Sequence, residues 1–263
     1  MTQTENIRKY QKYLNTKKIS LSSQATYLWH LKHFLAYLDK EKITPKNCEK
    51  YREFLLHKYK KIATINLRLS VINNYLKFSK QKQQLTLLSI EKQSIHVLTK
   101  KQLTEYLNLI PHPSDLISLR DKILLEILYY SGFKAKTIVS LEKKDLNLNK
   151  NIISYQKQEA KLNNSTKFYL LKYLQKRSDD SPYLFINFDH AGKNKNQALS
   201  VRSIERIIEK YSHQMSDVLR LNPQVLRHTL AYYLKQNGAQ ISQIKKALHF
   251  QSDLAAEFYY HKL

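Results

Sequence analysis

Apolar residues in the N-terminal third of the chain recur every three to four positions, which is the spacing of one face of an α-helix. Residues 22–41 follow this pattern, and Ser22 or Ser23 is the expected N-cap. Thr44 and Pro45 then stand where an N-cap and a first helical proline are favoured. Residues 62–80 form a further amphipathic stretch, and the first 85 residues are predicted to fold as a compact bundle of four short helices.

The helical spacing is lost over residues 86–98, and this segment is the expected linker. The spacing resumes behind a capping threonine, and a strongly apolar helix then ends at Gly132. The pattern is helical again over the last quarter of the chain. We therefore predict an N-terminal helical domain over residues 1–85 and a C-terminal domain over residues 99–263.

Two short segments of the C-terminal domain alternate apolar and polar residues with the period of a β-strand. These segments are residues 151–158 and 165–171, and a polar turn is expected between them. Residues 182–188 give a third extended piece. The expected fold class is mainly α with a small antiparallel sheet.

The charge balance is strongly basic along the whole chain. Lys and Arg number 45 against 21 Asp and Glu, a formal net charge of +24. Residues 1–94 and residues 95–263 are each basic, so the excess is not confined to a tail. A folded surface of this kind points to a polyanion, most often nucleic acid. The alternative is a solvated, lysine-rich surface without a partner.

The scarcity of cysteine and glycine excludes several kinds of site. The single cysteine, Cys48, excludes a disulfide framework and a cysteine-based zinc site, and it fits a reducing cytoplasm. Three scattered glycines form no phosphate-binding loop, and no His-x-Glu or paired-Asp cluster indicates a metal. No apolar run reaches the roughly 18 residues of a membrane helix, and the first residues lack an apolar signal core. We expect a cytoplasmic protein without cofactor or metal.

Basic residues and tyrosines remain abundant, and the chain has 19 tyrosines. This inventory suits phosphodiester cleavage by a tyrosine, in which cations rather than a metal ion stabilise the charge that develops at phosphorus. Most tyrosines serve packing, so composition alone selects none of them as a nucleophile.

The order of motifs near the end of the chain selects one tyrosine. The letters LRHT begin an apolar helix, which NGA and then ISQIKKALHFQSDLAAEFYYH follow. This order resembles the signature of the tyrosine recombinase, or phage integrase-like, family: His-x-x-Arg, then Leu-Gly-His/Trp, then a tyrosine nine residues later. Arg227 stands at the arginine position and Tyr259 stands nine residues after Phe250. The resemblance implies a two-domain clamp on duplex DNA, with an N-terminal core-binding domain and a C-terminal catalytic domain.

Two lysines upstream also match family positions. Lys134 follows the letters SGF, where the first family box carries an arginine, and Lys157 falls where the family carries a hairpin lysine. Lys161 and Lys167 compete with Lys157 for the hairpin role, because the turn is expected to be longer than the usual one of the family.

Three positions depart from the family pattern. Lys134 keeps the charge of the arginine but loses its planar fork. Gln224 replaces the histidine of His-x-x-Arg, and it can donate a hydrogen bond but cannot shuttle protons. Phe250 replaces the His/Trp of the third box, and the adjacent His249 could substitute only if the local turn shifts. His228 is interpreted as a buried, hydrogen-bonded histidine rather than a proton carrier. Since each lost donor typically costs about 10²- to 10³-fold in rate, we expect a slow, specialised or inactive enzyme.

The resemblance implies a mechanism for an active site of this kind. Tyr259 attacks phosphorus, which gives a 3′ phosphotyrosyl link and a free 5′-hydroxyl. Arg227 and Lys134 neutralise the developing charge, and Lys157 protonates the leaving oxygen. Tyr260 is the competing nucleophile, which the nine-residue spacing disfavours.

The sequence ends four residues after Tyr259, which leaves no room for the further C-terminal helix that joins family recombinases into tetramers. Together with Lys134 and Gln224, this resembles the tyrosine-recombinase-like relaxases of clostridial conjugative plasmids. The main hypothesis is therefore strand nicking at a plasmid transfer origin. The alternatives are a site-specific recombinase or integrase, and a DNA-binding protein of the same fold that has lost catalysis.

Double-stranded DNA is the expected partner under all three hypotheses, at a transfer origin or a recombination site. Accessory DNA-binding or conjugation proteins are further expected partners, and the protein is expected to be a monomer in solution without membrane insertion. In the N-terminal domain, Asn66, Arg68, Asn73 and Lys77 are the candidates for DNA contacts.

Overall fold

The computed structural model describes residues 3–17, 19–90, 95–188, 195–215, 217 and 221–263. The chain divides into two compact units, Met1–Gln93 and Ser94–Leu263, which we call the N-terminal unit and the C-terminal unit. Of the predicted linker, residues 91–94 lie outside the described residues, and the described residues on either side form no helix or strand. Within these described ranges, every helix is too short or too polar to cross a membrane.

Four helices among the described residues build the N-terminal unit, as the apolar spacing predicts. They are α1 (Gln3–Asn15), α2 (Leu21–Leu38), α3 (Pro45–Lys58) and α4 (Ile62–Phe78). Thr44 caps α3 and Pro45 is its first residue, as predicted. The cap of α2 is Ser20, so the prediction of Ser22 or Ser23 is wrong. The Ser20 side chain accepts a hydrogen bond from the backbone N–H of Ser23, and Leu21, the first residue of the helix, is 81% exposed, so the spacing of the buried residues does not mark the start.

The C-terminal unit combines eight α-helices and a short 3-10 helix, Lys143–Asp145, with one three-stranded sheet in the part of the chain that the structure describes. The helices are α5 (Lys100–Leu107), α6 (Leu116–Tyr130), α7 (Ala135–Val139), α8 (Asn164–Lys176), α9 (Val201–Ser212), α10 (Pro223–Gln236), α11 (Ile241–Ala247) and α12 (Asp253–Lys262). The strands are β1 (Leu146–Asn147), β2 (Ile152–Tyr155) and β3 (Gln158–Lys161), antiparallel in the order β1-β2-β3. The predicted fold class, mainly helical with a small antiparallel sheet, is confirmed.

The strand predicted at residues 165–171 is wrong, because these residues belong to α8. Thr166, Leu170 and Tyr173 are buried at intervals of four and three residues, which is the inward face of a helix packed against α6. Phe168 is 52% exposed on the outer face. An exposed aromatic residue between buried positions produced the false alternation.

The sheet is a tight hairpin of β2 and β3 with β1 at one edge. Tyr155 pairs with Gln158, so the turn consists of Gln156 and Lys157 alone. Gln156 has φ of 54°, and a two-residue hairpin turn requires a positive φ at its first position. The predicted long turn is therefore wrong. Lys157 stands at the tip of the hairpin, and Lys161 lies at the far end of β3.

A small separate cluster of buried residues lies where α10, α11 and α12 meet. It contains Ala231, Ile244, Leu248 and Tyr259. The main core of the C-terminal unit is a different cluster, and every residue of α6 from Leu119 to Tyr129 is buried in that unit. Tyr259 is thus held in place by apolar packing, and its side chain leaves the small cluster toward the start of α10.

Candidate active site

Helix α10 carries three polar candidate residues close to its start. Asn222 caps the helix by accepting a hydrogen bond from the backbone N–H of Gln224, and Pro223 is the first helical residue. Arg227 and His228 follow Gln224 at intervals of three and four residues. Side chains at these intervals lie next to each other on one face of a helix.

Arg227 is only 3% exposed, and its guanidinium is bound by two backbone carbonyl groups. It donates one hydrogen bond to the carbonyl oxygen of Gly132 and another, at 3.0 Å, to that of Leu248. Burial lowers the pKa of Arg227, and the nearby Tyr259 opposes this shift. An arginine stays charged even so. The guanidinium therefore joins the turn after α6 to the turn after α11 and places a positive charge beside Tyr259.

Gly132 allows these two turns to approach each other. Its φ is +61°, and a Cβ at this position would collide with the carbonyl oxygen of Ala247. Glycine alone accepts this conformation without strain and without a side chain in the contact. The turn after α6 thus brings its carbonyl oxygen to Arg227 because position 132 is glycine.

Tyr259 is 8% exposed and packs its ring against Phe250, with 5.0 Å between the ring centroids. The side-chain amide of Gln224 donates a hydrogen bond to the Tyr259 hydroxyl. Burial raises the pKa of Tyr259, while the charge of Arg227 and the bond from Gln224 lower it. Burial dominates, so the hydroxyl is protonated at neutral pH and a nucleophilic role would require it to lose that proton.

The competing tyrosine, Tyr260, lies in different surroundings. The ammonium of Lys235 is 5.0 Å from the centroid of its ring and donates to its backbone carbonyl. The amide of Gln224 contacts Tyr259 instead. The two neighbouring phenols therefore differ in the polar groups that reach them.

His228 lies on the other side of the Gln224 amide. Its Nε2 atom is 3.0 Å from Nε2 of Gln224, and its ring meets the ring of Tyr259 edge-on at 5.3 Å. Burial lowers the pKa of His228, the Arg227 charge acts in the same direction, and the backbone of His96 opposes both. The sequence indicated a buried, hydrogen-bonded histidine. The side chain is half-buried, and its partner is the Gln224 amide that also contacts Tyr259.

His249 contacts the turn after α6 through its ring. It has φ of 54°, and its Nε2 atom is 2.9 Å from the carbonyl oxygen of Ser131. The ring packs against that of Phe133, with 4.8 Å between the centroids and a tilt of 33°. Burial lowers the pKa of His249, the Ser131 bond opposes the shift, and the charge of Arg227 adds to it. His249 thus occupies the left-handed position where the family pattern has glycine, and it reaches the same turn that Arg227 binds.

The two predicted lysines stand at the rim of this arrangement. Lys157, at the hairpin tip, lines a cleft of about 300 Å³ together with His249 and Phe250. The cleft is basic, since Lys245 and Lys246 also line it. The residues that line it are Lys157, Gln158, Glu159, Ser242, Lys245, Lys246, His249, Phe250 and Gln251. Neither competitor is among them, because Lys161 ends β3 and Lys167 lies in α8.

Lys134 follows the turn that Arg227 binds. It occupies the N-cap position of α7, two residues after Gly132, and its side chain is exposed. Among the hydrogen bonds of the described residues, Tyr259 and Gln224 form none with Lys134.

The four DNA-contact candidates lie on α4 of the N-terminal unit. The amides of Asn66 and Asn73 each bond the following chain twice at 2.8 Å, to the backbone of Leu88 and Leu85 respectively. Arg68 is buried against aromatic rings, 4.3 Å from that of Tyr59. Lys77 is exposed. Their contact with DNA remains a prediction, and three of the four already have partners within the unit.

Sequence reasoning missed the backbone acceptors of this site. The carbonyl groups of Ser131, Gly132 and Leu248 orient His249 and Arg227. Every residue has a backbone carbonyl, so the residue types do not indicate which carbonyls act as acceptors. The glycine after α6 was the available signal. In the described ranges, no group of three or more His, Cys, Asp or Glu side chains is placed to hold a metal ion.

Sequence comparison relates both units to known proteins. The model of the "Phage integrase family" matches residues 96–263, and that of the "Phage integrase, N-terminal SAM-like domain" matches residues 7–83. The tyrosine recombinase XerA of Pyrococcus furiosus is 23% identical over 97% of this chain and 89% of its own length. A tyrosine recombinase XerC of Syntrophus aciditrophicus is 24% identical over 94% of this chain and 90% of its own length. These relatives do not confirm the finer resemblance to plasmid relaxases.

Structural comparison agrees on the fold. The Tn1549 transposon integrase, solved with circular intermediate DNA, superposes with a TM-score of 0.76 at 14% identity, covering 99% of this chain and 95% of the other. The XerH site-specific recombinase, bound to a palindromic difH substrate, gives 0.68 at 21% identity, covering 92% and 77%. At such identities the likeness establishes the fold alone. With the sequence model matching most of the chain, the protein belongs to the phage integrase family of tyrosine recombinases.

Proposed function

We propose that this protein cleaves and rejoins DNA strands as a site-specific recombinase, with Tyr259 as the nucleophile. Tyrosine recombinases are DNA-cleaving transesterases that use no metal. The relatives named above are recombinases and integrases, and this favours recombination over the nicking of a transfer origin as the main function.

The observation that carries the proposal is the surroundings of the Tyr259 hydroxyl. Gln224 donates to it, the charge of Arg227 lowers its pKa, and Phe250 packs against its ring. A phenol that serves packing alone needs no buried cation beside it, and a buried charge is costly unless it is paired or hydrogen-bonded. Two backbone carbonyl groups accept hydrogen bonds from Arg227, and its positive charge lowers the pKa of the phenol beside it.

The proposed step exchanges one phosphodiester for another. The Tyr259 oxygen forms a bond to phosphorus, and the bond from phosphorus to the 5′ oxygen of the next nucleotide breaks. The phenol gives its proton to solvent water, and Lys157 supplies a proton to the leaving 5′ oxygen. Arg227 and Lys134 neutralise the negative charge that builds up on the phosphoryl oxygens. The freed 5′-hydroxyl then attacks the phosphorus of the phosphotyrosyl link, or of that at a partner site, which breaks the bond from phosphorus to the Tyr259 oxygen and rejoins the strand. Its proton returns to the Lys157 amine, and the phenolate takes up a proton from water.

Duplex DNA is the proposed substrate. The excess of basic residues extends over both units, with a formal net charge of +24 for the chain. The lysine-lined cleft beside His249 and Phe250 offers a path for the phosphate backbone to the site. Binding by such a surface releases counterions, so its affinity should fall steeply as salt rises. Structures of related integrases and recombinases contain DNA, which supports the same partner for this chain.

Strand nicking at a plasmid transfer origin is the second candidate. It is favoured by the loss of three family groups, at Lys134, Gln224 and Phe250, because a single cleavage makes fewer demands than two coordinated exchanges. A catalytically inactive DNA-binding protein is the outcome if no cleavage occurs.

The test uses supercoiled plasmids that carry the DNA flanking the gene, either as one copy or as two copies of each fragment, in buffer with EDTA. A recombinase gives a covalent protein–DNA adduct and a deletion product from the two-copy plasmid. A relaxase gives the adduct and open circles without exchange. Tyr259→Phe should abolish all products, and Tyr260→Phe is the matched control that should retain them. DNA binding without an adduct in the unchanged protein would refute both enzymatic functions.

A further inference from the structure

We propose that His228 is a positioning residue for the nucleophile: in its neutral form it holds the Gln224 amide in the orientation that donates a hydrogen bond to Tyr259. The inference rests on the proposed role of Tyr259. It goes further because it assigns a task to a histidine outside the matched family positions and makes the site sensitive to pH.

The geometry places one amide nitrogen between two acceptors. Nε2 of Gln224 donates to the Tyr259 hydroxyl and lies 3.0 Å from Nε2 of His228. An amide nitrogen carries two hydrogens, so it can serve both contacts only if Nε2 of His228 has no proton. The neutral imidazole with its proton on Nδ1 meets this condition. His228 and Gln224 are four residues apart on α10, so the helix itself sets their separation.

Protonation of His228 reverses this arrangement. The imidazolium carries a hydrogen on Nε2, which cannot face the hydrogens of the amide. The Gln224 side chain then turns over and presents its oxygen to His228. The same oxygen now faces the Tyr259 hydroxyl, which must donate to it. The phenol thereby keeps its proton, whereas the neutral form of His228 favours its loss.

The surroundings of His228 favour the neutral form. The charged or titratable groups that bear on its ring are Tyr259 from α12, His96 from the segment before α5, and Arg227 on its own helix. Burial lowers the pKa of His228, and the Arg227 charge acts in the same direction, while the His96 backbone opposes them. The Nδ1 atom of His228 is buried and forms no hydrogen bond within the described residues. His228 therefore holds Gln224 in the donating orientation at neutral pH and releases it in acid.

The chemistry of the Gln224 side chain suits this supporting role in the ionisation of Tyr259. It cannot take the proton of the phenol, but it can stabilise the phenolate by donating to it. A glutamine side chain has three torsions and Gln224 is exposed, so it needs a second anchor to stay in place. His228 is that anchor, one helical turn away.

The decisive measurement needs no DNA. Nuclear magnetic resonance on protein labelled with ¹³C at tyrosine Cζ and histidine Cε1 follows both groups, with the signals assigned from Tyr259→Phe and His228→Gln. In acid, the Tyr259 signal should shift with the same midpoint as His228, below pH 6.5, the ordinary value for histidine. In Gln224→Leu, His228 should still titrate while Tyr259 no longer follows. An unshifted Tyr259 signal in the unchanged protein, or equal coupling in Gln224→Leu, would overturn the proposal.

Cleavage kinetics give an independent test. His228→Phe keeps the ring volume and removes the acceptor, so adduct formation at neutral pH should slow about 10-fold, less than the roughly 10²- to 10³-fold loss of a donor removed outright. His228→Gln offers a carbonyl acceptor that does not titrate, so it should restore the rate and abolish the acid limb of the pH profile. Faster cleavage in acid would contradict the proposal. Coupled titration without any adduct would leave the positioning role standing and refute the proposed function instead.

Discussion

Replacing Gly132 with alanine tests whether the close approach of two turns builds the site. The residue has φ of +61°, and a Cβ would collide with the carbonyl oxygen of Ala247. Gly238 provides the matched control, since it has φ of +80° but no atom within 4 Å of the same added carbon. Both variants place an alanine in a left-handed conformation, which lowers the free energy of unfolding. Only Gly132→Ala must also displace neighbouring atoms.

The expected losses follow from these two contributions. A left-handed alanine costs roughly 1–2 kcal/mol, and this is the whole expected loss for Gly238→Ala. Forcing a carbon into a packed contact adds about 1–3 kcal/mol, so Gly132→Ala should lower the free energy of unfolding by roughly 2–5 kcal/mol. The shift also displaces the carbonyl that Arg227 binds. Gly132→Ala should therefore lose adduct formation while Gly238→Ala keeps it.

Urea denaturation followed by circular dichroism measures the stability of both variants. The only tryptophan, Trp29, lies in the N-terminal unit, so its fluorescence identifies the transition of that unit. Hydrogen exchange of peptides from α10 and α11 then localises the loss. Equal losses for the two variants, or full adduct formation by folded Gly132→Ala, would refute the reasoning.

Three further outcomes are expected. Arg227→Lys leaves a buried carbonyl without its donor, so the free energy of unfolding should fall by about 1–3 kcal/mol. The rate of adduct formation, measured on gels, should fall about 10²- to 10³-fold, and a rate within roughly 3-fold of the original would contradict this. Lys157→Ala should slow adduct formation whereas Lys161→Ala should not, because only Lys157 lines the cleft; equal rates would remove Lys157 from the mechanism. Burial raises the pKa of Tyr129 and Tyr173 to about 12, while unfolded tyrosines ionise near 10.0. The contribution of these two phenols to the free energy of unfolding should therefore be fully present below pH 10 and lost as the pH rises toward 12. Urea midpoints should fall over that interval, and by less in Tyr173→Phe.

The helical elements could be predicted from the sequence because apolar spacing and capping residues are local signals. Thr44 before Pro45 marked the start of α3, and Gly132 marked the end of α6. The segment in α8 failed because Phe168 is apolar and exposed, which imitates a strand. The length of the hairpin turn was predicted wrongly because Gln156 has a positive φ, a conformation that the sequence indicates only when the residue is glycine or asparagine.

The site could be predicted in part for the same physical reason. Arg227 and Tyr259 were identified by motif order, and the structure brings both next to Phe250. The role of Gln224 could not be foreseen, because it depends on the orientation of one amide between His228 and Tyr259. Contacts of this kind join residues 35 positions apart in the chain, and no local pattern encodes them.

The central claim is that the Tyr259 oxygen becomes bonded to phosphorus. The direct measurement is tandem mass spectrometry of peptides from the adduct after nuclease digestion, with the attached nucleotide located by fragmentation. The account predicts the nucleotide on Tyr259 and an unmodified Tyr260 in the same peptide. A nucleotide on Tyr260, on any other side chain, or on no residue of a protein that binds its DNA would contradict it.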